Sequence, residues 1–160
     1  MLSVVDASAG DALLEVRTLF QEYVDSVGID LCFPGFTEEL ATLPGEYATP
    51  RGRLLLGRWS GEAAGCVALR PLVHGICEMK RLYVRPKYRR FGVGRALVER
   101  IIGEASDAGY ASMRLDSLPS MSSAIQLYRR LGFRDIAPYT ENPIPGAVFL
   151  ELPLARQTIP

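Results

Sequence analysis

Apolar positions along the chain switch between a period of two and a period of three to four, and the switches mark the elements. Ser3 to Asp6 reads as a short strand. Ser8 has the hydroxyl of an N-cap. After it, Leu13, Leu14, Val16, Leu19, Phe20, Tyr23 and Val24 recur at helical spacing until Gly28. Thr37 with Glu38 and Glu39 has the chemistry of a capped helix start and predicts a short second helix, Thr37 to Leu43, closed by "LPGEY". "RLLLGRW", "AAGCVALRPL" and "CEMKRLYVRP" follow, divided by the turn signals "SGE" and "HG", and predict three antiparallel strands in a meander. Arg95 to Asp107 carries Ala96, Leu97, Ile101, Ile102 and Ala105 on one helical face and stops at Gly109. "SMRLDSL" reads as a strand and Ser122 to Leu131 as a helix ended by Gly132. "FRDIAPY" and "AVFLELPL" close the chain as strands. The order β-α-α-β-β-β-α-β-α-β-β is a mixed α/β (α+β) pattern with no internal repeat.

Composition narrows this further. A chain of 160 residues that is 48% hydrophobic has the size of one globular domain, so 1–160 is read as a single domain. Formal net charge is zero, which argues against a nucleic-acid backbone or an anionic membrane as partner, since both call for a net basic surface. Cys32, Cys66 and Cys77 are odd in number and form no CxxC pair, so they read as reduced thiols of a cytoplasmic protein. The N-terminal stretch lacks a basic region followed by an apolar run, which leads to the expectation of a protein that is not exported.

Chemistry enters at "YRRFGVGRAL", Tyr88 to Leu97. A predicted strand runs into a turn holding Gly92 and Gly94 and then into a helix, an arrangement that converges backbone N–H groups and a helix N-terminus on one point. Arg89, Arg90 and Arg95 add positive charge there. The arrangement suits a phosphate, and a solvated basic turn with an incidental glycine pair is the alternative. No G-K-[ST] follows the glycines and no third glycine completes GxGxxG, which argues against a nucleoside triphosphatase and a dinucleotide oxidoreductase. No cluster of metal-ligand type is present, and no metal is expected.

"CEMKRLYVRPKYRRFGVGRALVERII", together with "MRLDSLPSMSSAIQLYRRLGFRDI", resembles the GNAT superfamily of N-acetyltransferases. Arg89, Gly92 and Gly94 occupy the three fixed positions of that family's pyrophosphate loop. Ala124, Leu127, Tyr128, Gly132 and Phe133 match its helix-to-strand motif. The resemblance implies the acyl-CoA N-acyltransferase fold, a mixed and mostly antiparallel sheet of about seven strands with about four helices. It also implies acetyl-CoA as co-substrate and transfer to a primary amine by direct attack in a ternary complex. The cofactor would be held by the backbone of Leu82, Tyr83 and Val84 and by the turn Arg89, Arg90, Phe91, Gly92, Val93, Gly94 and Arg95. One position departs from the family pattern: Met121 stands where many members carry a cofactor-contacting Asn, and Ser123 or Ser122 is the candidate replacement hydroxyl.

The reaction needs a proton donor for the departing thiolate and a base for the amine. The family's donor tyrosine falls at Tyr128; a core tyrosine on the apolar face of its helix is the other reading. Glu78 is the candidate base, at the start of the strand where relatives place a carboxylate, against the reading of a strand residue paired with Lys80 or Arg70 across the sheet. His74 sits in a turn and is discounted, as are the cysteines. Asp116 is a candidate at the acceptor side. "VGIDLCFPGFTEEL" and "PYTENPIPGAVF" are expected to form the acceptor pocket, with Glu38, Glu39, Glu46 and Glu141 as an acidic rim and Phe33, Phe36 and Tyr139 as an apolar wall. The expected partner is a small amine or amino-acid-like molecule. A protein N-terminus or lysine, or a module that binds acetyl-CoA without catalysis, is the alternative, and a homodimer stays open as an assembly.

Overall fold

The computed structural model describes residues 1–28 and 34–154. A seven-stranded sheet runs through it, made of β1 (Leu2–Asp6), β2 (Arg53–Trp59), β3 (Glu62–Val73), β4 (Ile76–Val84), β5 (Ser112–Ser117), β6 (Arg134–Asp135) and β7 (Val148–Pro153). The helices are α1 (Gly10–Val27), α2 (Phe36–Ala41), α3 (Val93–Asp107) and α4 (Ser122–Arg130). The spatial order is β1-β2-β3-β4-β5-β7-β6; β4 and β5 pair in parallel and every other neighbour is antiparallel. Cys32 and Phe33 lie outside the described residues. No helix among the described residues is long and apolar enough to cross a membrane.

Period-two alternation sorts the strand residues between two apolar layers. Leu54, Leu56, Cys66, Ala68 and Tyr83 pack beneath α1 with Val16, Leu19 and Phe20. Leu55, Val67 and Leu69 face the other way, against Val93, Leu97, Val98 and Ile101 of α3 and Tyr128 of α4. Each large side chain buried in this way contributes about 1.5–3 kcal/mol. Gly57 on β2 lets α3 approach the sheet: a Cβ there would sit 3.1 Å from Cγ1 of Val93.

Several expected boundaries move, each for a local reason. Ser8 does not cap α1; its hydroxyl donates to the Asp6 carboxylate at 2.6 Å, and Ala9 holds the N-cap position without a side-chain bond. Gly35, at φ +74°, precedes α2, which therefore starts at Phe36 rather than Thr37. Gly92, at φ +77°, turns the chain early enough for α3 to begin at Val93, two residues ahead of the expected start. The strand expected over "FRDIAPY" contracts to Arg134–Asp135. Beyond it Ile136 N–H still donates to the Phe149 carbonyl at 2.9 Å, but Pro138 has no N–H to offer and the chain then leaves the sheet.

Leu97 is fully buried where α3 meets β2. Leu97→Ala is expected to destabilise the protein by about 2–5 kcal/mol, read from the midpoint of chemical denaturation at an unchanged slope.

Candidate active site

β4 departs from regular pairing at one place, and the site forms there. On the β3 side the register runs Cys66↔Tyr83 and then Ala68↔Lys80, so Arg81 and Leu82 together oppose Val67 in a β-bulge. Arg81 takes φ +60°, a conformation that costs a non-glycine residue about 1–3 kcal/mol. Its side chain is held in compensation. The guanidinium forks onto Glu39 through Nε and one NH2 group, both at 2.9 Å, and lies 5.6 Å from the centre of the Phe36 ring. On its other side β4 pairs with β5 only over Ile76–Glu78 and Ser112–Arg114. Past that point the two strands separate, and among the described residues no strand pairs with this edge of Leu82, Tyr83 and Val84.

The gap is a slot of about 80 Å³ lined by residues of β4, β5 and α4, with Tyr23 from α1 at its wall. Leu82 faces it, whereas Tyr83 turns the opposite way into the layer beneath α1. Tyr128 also lines it, 5% exposed, with its ring 5.7 Å from that of Phe133. Burial pushes the phenol well above the ordinary tyrosine range, so it is protonated at neutral pH. Met121 reaches the slot as well, and its sulfur accepts from the hydroxyls of Ser117 at 3.6 Å and Tyr23 at 3.9 Å. Ser122 and Ser123 are exposed on the first turn of α4 and are not among the lining residues.

Beyond the end of β4 lies the glycine turn. Val93, Gly94 and Arg95 form the first turn of α3, so their N–H groups have no intrahelical acceptor and carry the positive end of the helix dipole. The Phe91 N–H is already donated to the Tyr88 carbonyl at 3.2 Å. Arg89 donates from Nε to the Val84 carbonyl at 2.9 Å and ties the turn to the strand, while Arg95 pairs with Glu99 at 2.7 Å. Arg90 is exposed. Phe91 is 46% exposed and stacks on Trp59, with the rings 4.6 Å apart. Val93 is buried in the layer beneath α3.

Next to the slot, and sharing Lys80, Arg81, Asp116 and Asn142 with it, lies a cleft of about 800 Å³ between α2, the sheet and the 136–147 connection. Glu78 lies there, 2% exposed. One of its oxygens accepts from the Arg70 guanidinium at 2.8 and 2.9 Å, and the other accepts from the Tyr139 hydroxyl at 2.6 Å. Arg70 is its register partner on β3, one of the two cross-strand pairings weighed from the sequence, yet Glu78 is buried rather than solvent-facing and Arg70 is half-buried over it. The Tyr139 phenol is pushed up by burial and by this carboxylate. Asp116 accepts from Asn142 at 3.1 Å, so two carboxylates pin the 136–147 connection over the cleft. Of the expected acidic rim, Glu39 pairs with Arg81 and Glu46 with Arg70, whereas Glu38 and Glu141 are exposed. His74 is an exposed turn residue. Cys66 and Cys77 are buried free thiols, the latter pushed up to about 12 by burial. No cluster of His, Cys, Asp and Glu able to hold a metal occurs among the described residues.

Sequence reasoning had Tyr139 in the cleft as an apolar wall and missed its hydroxyl. It also missed Tyr23, Ser117 and Lys80. Tyr23 was absorbed by the helical period of α1, and Ser117 and Lys80 sit on strands whose separation has no local signal.

The chain matches the model of the acetyltransferase (GNAT) family over residues 16–133. It is 42% identical over 144 residues to an uncharacterized N-acetyltransferase of Schizosaccharomyces pombe, covering 89% of this chain and 88% of that one. It is 38% identical over 146 residues to the IAA acetyltransferase of Azospirillum brasilense, covering 90% and 92%. Among solved structures, a Salmonella typhimurium protein determined with its cofactor acetyl-CoA shares the fold at a TM-score of 0.75 and 19% identity, covering 100% of this chain and 98% of that one. A parallel β4–β5 pair opened by a bulge, a glycine turn leading into α3 and the extent of these matches agree: the chain belongs to the GNAT family and is an N-acetyltransferase.

Proposed function

We propose that the protein transfers an acetyl group from acetyl-CoA to the primary amine of a small, amino-acid-like molecule that enters through the 800 Å³ cleft. The observation that carries this reading is the continuity of three features. The free N–H groups at the start of α3 follow the end of β4 in the chain, Leu82 of β4 and the phenol of Tyr128 line the slot, and the slot shares Lys80, Arg81, Asp116 and Asn142 with the cleft.

The residues present suit the donor. The turn from Arg89 to Arg95 offers backbone N–H groups and positive charge to a pyrophosphate, with the Val93, Gly94 and Arg95 amides as the free donors. Leu82, Tyr83 and Val84 offer an open strand edge to the amides of an extended arm, and Ser117, whose hydroxyl donates to the Met121 sulfur, is the hydroxyl lining the slot beside the position of the family Asn. Acetyl-CoA supplies the acetyl group as an activated thioester. Tyr128 donates its proton to the thiolate as the C–S bond breaks. Burial disfavours a thiolate beside Tyr128 as it disfavours the phenolate itself, so the two proton affinities stay within reach. An incoming ammonium sheds one proton to water, and the neutral amine attacks the thioester carbonyl. As the new C–N bond forms, the amine proton passes to the Tyr139 oxygen while Tyr139 passes its own proton to Glu78. Exchange with water then returns a proton to the Tyr128 phenolate and removes one from Glu78.

Release of free thiol from acetyl-CoA in the presence of a panel of small amines tests the proposal, and binding of acetyl-CoA without turnover on any amine would overturn it. Tyr128→Phe is expected to lower kcat about 100-fold or more with little change in the dissociation constant for acetyl-CoA. An unchanged kcat would leave Tyr128 with packing alone. Glu78→Gln is expected to lower kcat about 100-fold or more with little change in acetyl-CoA affinity, because an amide cannot take the proton. Gly92→Val places a branched residue at φ +77° and is expected to weaken acetyl-CoA binding at least about tenfold by titration calorimetry.

A further inference from the structure

Among the described residues three cations line the cleft, and two of them already have counterions. Arg81 forks onto Glu39, and Arg70 bridges Glu78 and Glu46. Lys80 differs. It makes no hydrogen bond and no ion pair with a described residue, and it lines both the slot and the cleft, at their junction.

The topology explains why it stays unpaired. Glu78↔Arg114 is the last parallel pairing of β4 and β5, so Lys80 and Asp116 each stand two residues further along strands that have begun to separate. In a continuous sheet they would be cross-strand neighbours and would close on each other. Here the separation holds them on opposite sides of the opening. Asp116 is turned to Asn142 instead, and Glu141 stands exposed at the same mouth. The junction therefore presents the Lys80 ammonium, which has no ion-pair partner among the described residues, and the Asp116 carboxylate to whatever enters, with Glu141 further out in the cleft.

We propose that Lys80 binds a carboxylate of the acceptor, so that the substrate is an amino acid or a similar molecule carrying an amine and a carboxylate close together. Asp116 and Glu141 receive its ammonium on entry. Burial, with Arg81 and Arg70 adjoining, pulls the Lys80 ammonium below the usual lysine range against the opposing pull of Glu78 and Asp116. A ligand carboxylate supplies the counter-charge that the fold withholds. The proposal rests on the small-amine reading above and specifies which amines.

Matched pairs of amines test it: free amino acids against their carboxamides, with a peptide amide bearing a free N-terminus as a third arm. The wild-type protein is expected to favour the carboxylate member in kcat/KM by at least about tenfold, since a site with an unmatched charge rejects the analogue that lacks the partner. Lys80→Met is expected to bring that ratio close to one, chiefly through the KM of the carboxylate member, and Lys80→Arg is expected to restore part of it. Acetyl-CoA affinity and the circular dichroism spectrum of each variant report whether it is folded. Equal use of both members by the wild-type protein, a ratio that survives Lys80→Met in a folded variant, or preference for the peptide would overturn the proposal while leaving acetyl transfer to amines intact. Absence of turnover on every arm despite acetyl-CoA binding would instead overturn the small-amine reading itself.

Discussion

Arg81 adopts a backbone conformation that an L-residue rarely takes, and the fork it makes with Glu39 is the interaction on which the rest of the site depends. A bulge adds one residue to β4 relative to β3 and bends the strand, so the parallel pairing with β5 ends after Glu78. Without that separation the slot would be filled by continued pairing, Tyr128 would be sealed in the core, and Lys80 would meet Asp116. The 7% exposure of the Arg81 side chain and the 20% exposure of Glu39 place this pair well out of solvent, where a two-bond fork is stronger and less screened than a surface pair. One salt bridge between α2 and β4 thus stabilises a strained residue, opens the sheet and brings α2 to the edge of the cleft.

The charges around the cleft are divided by the same geometry. Arg70 and Glu78 meet across the β3–β4 register, and Tyr139 completes the carboxylate from the opposite side. The ring of Tyr139 packs edge-on against Phe149, with the Arg114 guanidinium 5.4 Å from its centre, so the hydroxyl is aimed by contacts from β5 and β7. A buried carboxylate with both oxygens occupied is firmly placed, which suits a group that must receive a proton through a neighbour.

Most of the fold could be read from the chain because strand and helix periods depend on nearest neighbours. β2 was read to its exact ends from "RLLLGRW", and α4 to within one residue from the spacing of Ala124, Leu127, Tyr128 and Leu131. The glycine turn and Tyr128 were legible through paired motifs. What escaped depends on pairing between distant segments. A bulge is a property of two strands, and no residue near Arg81 announces that it will take a positive φ. The hydroxyl of Tyr139 reads as part of an apolar run until the 136–147 connection folds back 61 residues onto Glu78. Met121 was recognised as a departure, but its sulfur's contacts with Ser117 and Tyr23 follow only from the approach of α1 to α4.

The free amides of the α3 first turn and the unpaired edge of β4 are main-chain groups, present whatever side chains surround them. The cleft is built from side chains: Glu78, Lys80, Asp116, Glu141. Single amino-acid replacements can therefore redraw the cleft without touching the main-chain groups at the other end of the path. A scaffold divided in this way can diversify one specificity by drift while the other is inherited unchanged, and its relatives would be expected to differ most where β4 and β5 part.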